Sequence, residues 1–250
     1  HFLDMDHYDQ QELDSMARTG WNEAVKIFGE DSLRMHGILP WNLLRVYRSL
    51  REAFVVGDAV RILRLSADLG HYVGDAHVPL HTTANYDGQL TGQHGLHGLW
   101  ESRLPELHFK DYDFLVGKAE YVLDIKARIW AVIKQSQSMV DSVLFLERSL
   151  AKSEGSRKYS FDSRGTQTIR VVAEDYAKRY HRMLDGMVER RMRASVRLVA
   201  DLWYSAWLEA GQPELPDVPI PEEELARRRF ELTEWKERFL VPARQHETEP

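Results

Sequence analysis

The segment HYVGDAHVPLHTTANYDGQLTGQHGLHGLWE, residues 71–101, holds five of the eleven histidines in this 250-residue chain. His71 and Asp75 are four residues apart, and so are His97 and Glu101. On a helix this spacing places both side chains of a pair on one face. Imidazole nitrogen and carboxylate oxygen are zinc ligands, so each pair can point at one divalent ion.

His81 lies between the two pairs, six residues after Asp75. A single His-x-x-x-Asp pair often arises by chance, but two pairs that bracket a further histidine indicate a site for more than one metal ion. His77 and His94 do not fit the spacing, and we expect them to support ligands or to lie at the surface.

Helical periodicity dominates the chain on both sides of this window. After Pro40 the apolar residues recur every three or four positions, and Asp58 is the predicted N-cap of a second helix that ends before Pro79. Glycine, asparagine and aspartate predict a loop over residues 82–95, followed by a short helix that ends before Pro105.

The rest of the chain is also predicted to be helical. Long helical stretches are expected over residues 118–152 and 168–210, joined by a polar connection over residues 153–165. Because no clear period-two alternation is present, the predicted fold class is all-α. We expect one metal-dependent domain over residues 1–212 and a proline-rich, charged appendage over residues 213–250.

Composition narrows the classes of function. The chain is 43% hydrophobic and 29% charged, as in ordinary globular proteins, and its net charge of −6 argues against a broad basic face for nucleic acid. The absence of cysteine excludes thiolate zinc sites and disulfides, and no apolar run approaches the ~20 residues of a transmembrane helix. No serine elbow or P-loop motif is present either, so hydrolysis would depend on the metal.

The run His71-x-x-Gly-Asp75-x-His-x-Pro-Leu-His81, followed by His97-Gly-Leu-Trp-Glu101, resembles the superfamily of bacterial zinc-dependent phospholipase C and single-strand-specific zinc nucleases. The His-Phe-x-Asp element at residues 1–4 is similar to the upstream His-Phe element of that superfamily. The resemblance covers roughly residues 1–101. It implies an all-helical fold with the metal site in a cleft between helices.

The resemblance also implies a cluster of up to three zinc ions. Six side chains match ligand positions of the superfamily: His1, His71, Asp75, His81, His97 and Glu101. The first two would bind one ion, Asp75 would bridge it to a second, and the last three would bind the remaining ion. The superfamily also uses an amino-terminal Trp and a further upstream His and Asp, which this sequence does not contain. We expect the natural chain to extend upstream, and without those residues the cluster would be incomplete.

The implied activity is phosphoester hydrolysis of the phospholipase C type by a zinc-bound hydroxide, in a secreted or periplasmic protein. Asp4 or Asp6 is the candidate for orienting the attacking water, and an exposed turn carboxylate is an equal alternative. Glu101 and the short connection before His97 favour the phospholipase branch, which acts on phospholipid. An alternative of another class is a non-catalytic protein with a partial structural zinc site.

The sequence pattern of residues 74–81 instead favours the other branch, a single-strand nuclease or 3′-nucleotidase acting on nucleic acid. Such an enzyme would need aromatic groups for base stacking, for which Tyr72, Tyr86 and Trp100 are candidates, although core or rim packing is the simpler interpretation.

Three segments near the carboxyl end are interpreted as structural and not functional. The basic cluster around Arg191 is interpreted as a solvated helix face paired with Glu189. Trp203 and Trp207 are predicted to lie in the core. Residues 222–229 are predicted to form ion pairs on an exposed helix.

Overall fold

The computed structural model describes residues 1–164 and 167–215, and this part of the chain is mostly helical, as the sequence predicts. The α-helices are α1 (Gln10–Arg18), α2 (Trp21–Phe28), α3 (Glu30–His36), α4 (Leu39–Val56), α5 (Ala59–Ala76), α6 (Leu96–Gly98), α7 (Leu104–His108), α8 (Ile125–Gln137), α9 (Val140–Glu154), α10 (Glu174–Met183) and α11 (Met187–Glu209). A π-helical turn (Leu99–Arg103) joins α6 to α7, and short 3-10 turns include Met5–His7, Pro79–Thr82, Gln89–Thr91, Phe109–Asp111 and Gly155–Lys158. Within the described ranges no helix is long and apolar enough to cross a membrane.

Two apolar clusters form the interior. The first packs α4 and α5 against α8 and α11, with α1 to α3 around them. The second packs the segment from Val78 to Tyr112 against α9, α10 and the start of α11. The chain passes from one cluster to the other between Ala76 and Val78. The histidine-rich window therefore lies where the two cores meet.

The hairpin of α4 and α5 follows the sequence prediction closely. Asp58 accepts a hydrogen bond from the backbone N–H of Arg61, which satisfies one of the free donors at the start of α5. Gly57 adopts φ +70° and ends α4, a conformation that glycine adopts without the steric penalty of a Cβ. Helix α5 ends at Ala76, before Pro79 as expected.

The described residues agree with the all-α class, but the prediction of a helix from residue 168 is wrong for residues 168–172. Two antiparallel strands stand between α9 and α10, β1 (Tyr159–Arg164) and β2 (Gln167–Val172), where the sequence predicted a polar connection and the start of a helix. Residues 168–172 are rich in β-branched side chains, which favour extended backbone. The helical stretch is then divided again, because Asp185 and Gly186 both adopt positive φ between α10 and α11.

Two helix boundaries also differ from prediction. The predicted helix over residues 118–152 begins only after Asp124, which caps α8 by accepting from the N–H of Ala127, and it is interrupted before α9. The helix through Glu101 continues past Pro105 instead of ending before it. Pro105 directly follows the π-helical turn, whose last hydrogen bond runs from the N–H of Leu104 to Leu99 O, so the regular α-helical bonding is already altered where the proline enters.

Arg191 contradicts the prediction of a solvated basic face. Its side chain is buried and donates hydrogen bonds to His77 O (2.9 Å), Gln135 Oε1 (2.6 Å) and Ser136 Oγ (2.5 Å). Burial lowers the pKa of Arg191 to about 10. Glu189 instead accepts from the backbone N–H of Asp113. Arg191 therefore braces the end of α5, which carries the candidate ligands, against α8.

The remaining predictions near the carboxyl end concern two tryptophans and the segment after residue 215. Trp203 is 40% exposed, so its assignment to the core is wrong, whereas Trp207 packs against the first cluster. Residues 222–229, and with them the predicted exposed helix and most of the predicted appendage, lie outside the described residues.

Replacing Arg191 by Met is expected to lower the free energy of unfolding by about 2 kcal/mol, because the carbonyl of His77 loses its partner inside the protein. Chemical denaturation monitored by circular dichroism measures the change. Arg190→Met is the matched control, since Arg190 is the preceding residue and is exposed. Equal destabilisation by the two variants would contradict the bracing role.

Candidate metal centre

The carboxylate of Asp75 is the centre of the site. Its side chain is only 7% exposed, whereas His1 and His71 beside it are 60% and 58% exposed. Asp75 Oδ2 lies 3.0 Å from His1 Nδ1 and 3.4 Å from His71 Nε2, and those two nitrogens are 3.0 Å apart. Three potential ligand atoms thus converge on one point at the protein surface.

A second group of three lies next to the first. His81 Nε2 and His97 Nε2 lie 3.4 Å and 2.6 Å from Glu101 Oε2. These side chains are partly buried, unlike the open histidines of the first group. Helical spacing positions one pair, because His97 belongs to α6 and Glu101 follows four residues later in the π-helical turn.

The two groups meet at Asp75. While Oδ2 faces His1 and His71, Oδ1 lies 3.9 Å from His81 Nε2 in the second group. A carboxylate that presents one oxygen to each of two groups has the geometry of a bridging ligand. The structure therefore brings together all six candidate ligands in two groups of three. Asp75 contacts the group of His81 directly, whereas the resemblance implies a bridge to a separate second ion. Metal binding by the six side chains remains a prediction.

The distances can be compared with what zinc requires. Two ligands on a tetrahedral zinc ion, each about 2.0–2.1 Å from the metal, stand about 3.3 Å apart. The first group has separations of 3.0, 3.0 and 3.4 Å, and within each group the ligand atoms all lie within 4.8 Å of one another. Imidazole and carboxylate without thiolate form a donor set that suits zinc. The residues present therefore fit zinc with small side-chain adjustments.

The carboxylates and histidines of the site shift one another's pKa values. Burial raises the pKa of Asp75, against the opposing charges of His81 and His71. Burial would also raise the pKa of Glu101, but hydrogen bonds and charge from His81 and His97 outweigh it and bring that pKa well below its ordinary value. Although burial disfavours the charged imidazole, the bond to Glu101 raises the pKa of His97. Opposed shifts of this kind arise where carboxylates and imidazoles share a partly buried site.

His1 is held in place by the backbone around it. The N–H of Leu3 donates to His81 O (2.9 Å), and Phe2 O accepts from the N–H of Leu39 (3.2 Å). Gly37 has φ +97°, and a Cβ at this position would collide with the carbonyl of Phe2. The close approach therefore requires glycine. This contact places His1 beside Asp75, which is 74 residues away along the chain.

Asp4 and Asp6 lie in the same amino-terminal segment but belong to neither ligand group. Asp6 accepts hydrogen bonds from the Thr83 hydroxyl (2.6 Å) and from the N–H of Ala84 (3.0 Å). Asp4 Oδ2 lies 3.6 Å from His36 Nδ1, and burial together with the charge of Asp6 raises its pKa. Asp6 thus fastens this segment to the loop after His81. The role of either residue in orienting water remains a prediction.

Asp87 was missed as a positioning residue by sequence reasoning. Its carboxylate accepts from the N–H of Gly95 (2.9 Å) and of His97 (3.2 Å), which fixes the turn that delivers His97. His97 Nδ1 lies 3.3 Å from Tyr86 O. Because a carbonyl only accepts, this contact places the proton on Nδ1 and leaves Nε2 free to bind metal. Gly88 and Gly95, which follow Asp87 in a loop-forming sequence, were the available signal.

The loop before His97 is also anchored by a hydrogen-bond network around the buried side chain of Glu147. Gln93 donates to Glu147 Oε2 (2.6 Å), and the other oxygen of Glu147 accepts from Lys158 (2.7 Å) and Tyr176 (2.7 Å). Glu147 is fully buried on α9. This network connects the loop to α9, α10 and the root of the β-hairpin, so the second ligand group rests on well-packed elements.

The aromatic residues proposed for base stacking have different surroundings. Tyr72 lies 5.2 Å from the His1 ring and 5.5 Å from the His71 ring, and Tyr86, which is 40% exposed, lies 6.1 Å from the His97 ring. Trp100 is buried, so it is unavailable for stacking.

Of the two histidines outside the ligand spacing, His77 is buried. Burial and nearby Arg191 lower the pKa of His77 to about 3, and its Nδ1 donates to Val73 O. His94 is exposed.

Comparison of the chain with protein-family models, with curated proteins and with solved structures finds no match.

Proposed function

We propose that this protein is a zinc-dependent hydrolase of phosphoester bonds, of the phospholipase C type. The observation that carries the proposal is the carboxylate of Asp75, which turns one oxygen to each of two groups of ligand atoms. Two cations side by side suit a phosphoester, whose oxygens gain negative charge as the transition state forms.

Zinc bound at such a site supplies Lewis acidity for the phosphoryl oxygen and makes water nucleophilic near neutral pH. The protein contributes the arrangement of the ligands. His97 is held in one tautomer by Tyr86 O, and Asp75 is kept away from bulk water. The exposed rings of His1 and His71 leave the first group open on one side, where a phosphoester and water can enter.

A second candidate is a single-strand nuclease or 3′-nucleotidase with the same centre. Tyr72 stands beside the first group and exposed Tyr86 beside the second. Rings at both ends of a metal site offer faces on which unpaired bases could stack. A phospholipid has no bases to stack, so an enzyme that acts on it would not need these rings.

The test is an assay of zinc-loaded full-length protein on phosphatidylcholine, single-stranded DNA and 3′-nucleotides. Turnover of the lipid supports the first candidate, and turnover of the nucleic acid substrates supports the second. Zinc binding without turnover of any of the three would favour the non-catalytic alternative.

His81→Ala is expected to lower kcat/KM at least about 10²-fold, more than the loss of a group that only orients a ligand. His94→Ala is the matched control, because His94 lies in the same window but is exposed and outside both groups. It should retain the activity of the unmodified protein. Unchanged activity of His81→Ala would refute the proposed centre.

A further inference from the structure

A cavity lies between α7 and α10 and shares no residue with the two ligand groups. Its volume is about 440 Å³, and its lining consists of His108, Asp175, Lys178, Arg179, His181 and Arg182. Three of these residues carry a permanent positive charge and one a negative charge, a net of +2 before either histidine is protonated. A concave site of this composition attracts anions, although the whole chain is acidic.

Two histidines form one wall of the cavity. The rings of His108 and His181 stack with centroids 3.9 Å apart and an angle of 18° between their planes. His181 Nε2 lies 2.8 Å from the Tyr112 hydroxyl. In the described part of the chain, His108 Nε2 is shielded from solvent and has no hydrogen-bond partner. A polar atom left in this state costs about 1–3 kcal/mol. The stacked pair thus contains an unsatisfied polar atom inside the protein.

Two of the three cations in the cavity, Lys178 and Arg182, are available to a ligand. Lys178 pairs with Glu174 (2.5 Å) on the exposed surface of α10, whereas Arg179 pairs with Glu154 of α9, whose side chain is only 11% exposed. An exposed pair such as Lys178–Glu174 contributes about 0–1 kcal/mol, so a ligand could replace Glu174 at little cost in stability. Arg182 is exposed, and no ion pair joins it to any residue within the described ranges. Its planar guanidinium can donate two parallel hydrogen bonds to an oxyanion.

The protonation of the two histidines would change when an anion binds. Burial lowers the pKa of His108 and of His181, and positive neighbours, Lys178 for the first and His108 for the second, lower it further. The acidic groups that oppose this effect are Asp111, together with Glu174 for His108 and Glu189 for His181. A bound anion would stabilise the protonated rings, so anion binding and proton uptake are coupled.

We propose that this cavity binds the phosphate group of a small phosphorylated ligand, held by Arg182, Lys178 and the stacked histidine pair. Phosphate offers tetrahedral oxygens that accept from a guanidinium fork, an ammonium and an imidazolium together. The volume exceeds that of phosphate alone and lies in the range of pockets for small organic molecules. The site goes beyond the proposed hydrolase function, since none of its residues belongs to the metal centre.

The test is a titration of the full chain with inorganic phosphate, followed through the NMR signals of the histidine rings. Saturable shifts of the His108 and His181 signals are expected, with a rise in the pKa of at least one of them. The His94 signal serves as an internal reference for non-specific effects. Shifts that grow without saturation, or that match those caused by chloride at equal ionic strength, would overturn the proposal.

Arg182→Gln is expected to weaken phosphate binding about tenfold, the lower end of the loss for one charge-assisted hydrogen bond. Arg48→Gln, on the exposed surface of α4, is the matched control and should bind as the unmodified protein does. Equal affinity of these two variants would overturn the assignment. His97→Ala separates this site from the metal centre: it should still show the response of the His108 and His181 signals, whereas loss of that response would trace it to the metal centre.

Discussion

Asp75→Asn is expected to reduce kcat/KM for the phosphoester substrate about 10³-fold, because it removes several kcal/mol of charge and coordination at the centre. Asp75 has contacts in both ligand groups, through Oδ2 to His1 and His71 and through Oδ1 to His81. An amide keeps one oxygen but replaces the other with NH₂, which cannot accept or bind metal. Either orientation of the amide therefore removes a ligand from one of the two groups.

Zinc content measured by mass spectrometry should fall in parallel with activity, since Asp75 would hold two ions. The matched control is Asp68→Asn, which makes the same chemical change at an exposed position of the same helix. It should leave both zinc content and activity unchanged. If Asp75→Asn binds as much zinc as the unmodified protein and turns substrate over at the same rate, Asp75 is not a bridge.

The parts of the site that follow from local sequence were predictable. Helical spacing places His71 beside Asp75 on α5, and the same spacing places His97 beside Glu101. The helix that carries the first pair could be delimited as well, because its N-cap Asp58 and the later Pro79 both have local signatures. Local rules therefore predicted two half-sites.

The assembly of the half-sites was not predictable from spacing. His1 reaches Asp75 only because the backbone of residues 2–4 is bonded to His36, Leu39 and His81. Periodicity contains no information on such long-range contacts. Resemblance to known zinc phosphoesterases supplied the expectation for His1, and the carboxylates of Asp6 and Asp87 explain how the pieces are fastened.

The errors in the fold have a common physical origin. A short strand pair and a helical turn contain similar numbers of apolar residues, so residues 159–172 gave no clear periodic signal. Arg191 shows the same limitation for side chains. Its burial depends on neutral acceptors from α5 and α8, which lie more than fifty residues away along the chain. A basic run in isolation is more often a solvated face.

Removal of metal is expected to destabilise the protein substantially. A ligand that binds the folded chain alone stabilises it by about 4 kcal/mol when its free concentration is 1,000 times the dissociation constant. Treatment with a chelator should therefore lower Tm, and added Zn²⁺ should restore it. Mg²⁺ prefers oxygen ligands and octahedral geometry, so it should not restore Tm, because each group contains two imidazoles.

This stabilisation should depend on pH in a defined direction. Burial raises the pKa of Asp75, and contact with Glu101 raises that of His97 despite burial, so in the metal-free protein both keep a proton to higher pH than usual. Zinc must displace these protons to bind. The difference in Tm between zinc-loaded and chelated protein should therefore shrink as the pH falls from neutral. Because its pKa is well below the ordinary value, Glu101 stays ionised and does not add to this dependence.

His97→Ala provides the control within the protein itself. It removes one ligand from the second group but none from the first, so zinc should still raise Tm, by a smaller amount than in the unmodified protein. Asp75→Asn, which disturbs both groups, should show a smaller rise than His97→Ala. Equal Tm with and without zinc in the unmodified protein would show that the six side chains are a hydrogen-bonded cluster. The order of the three proteins thus tests the bridge by stability alone, independently of any substrate.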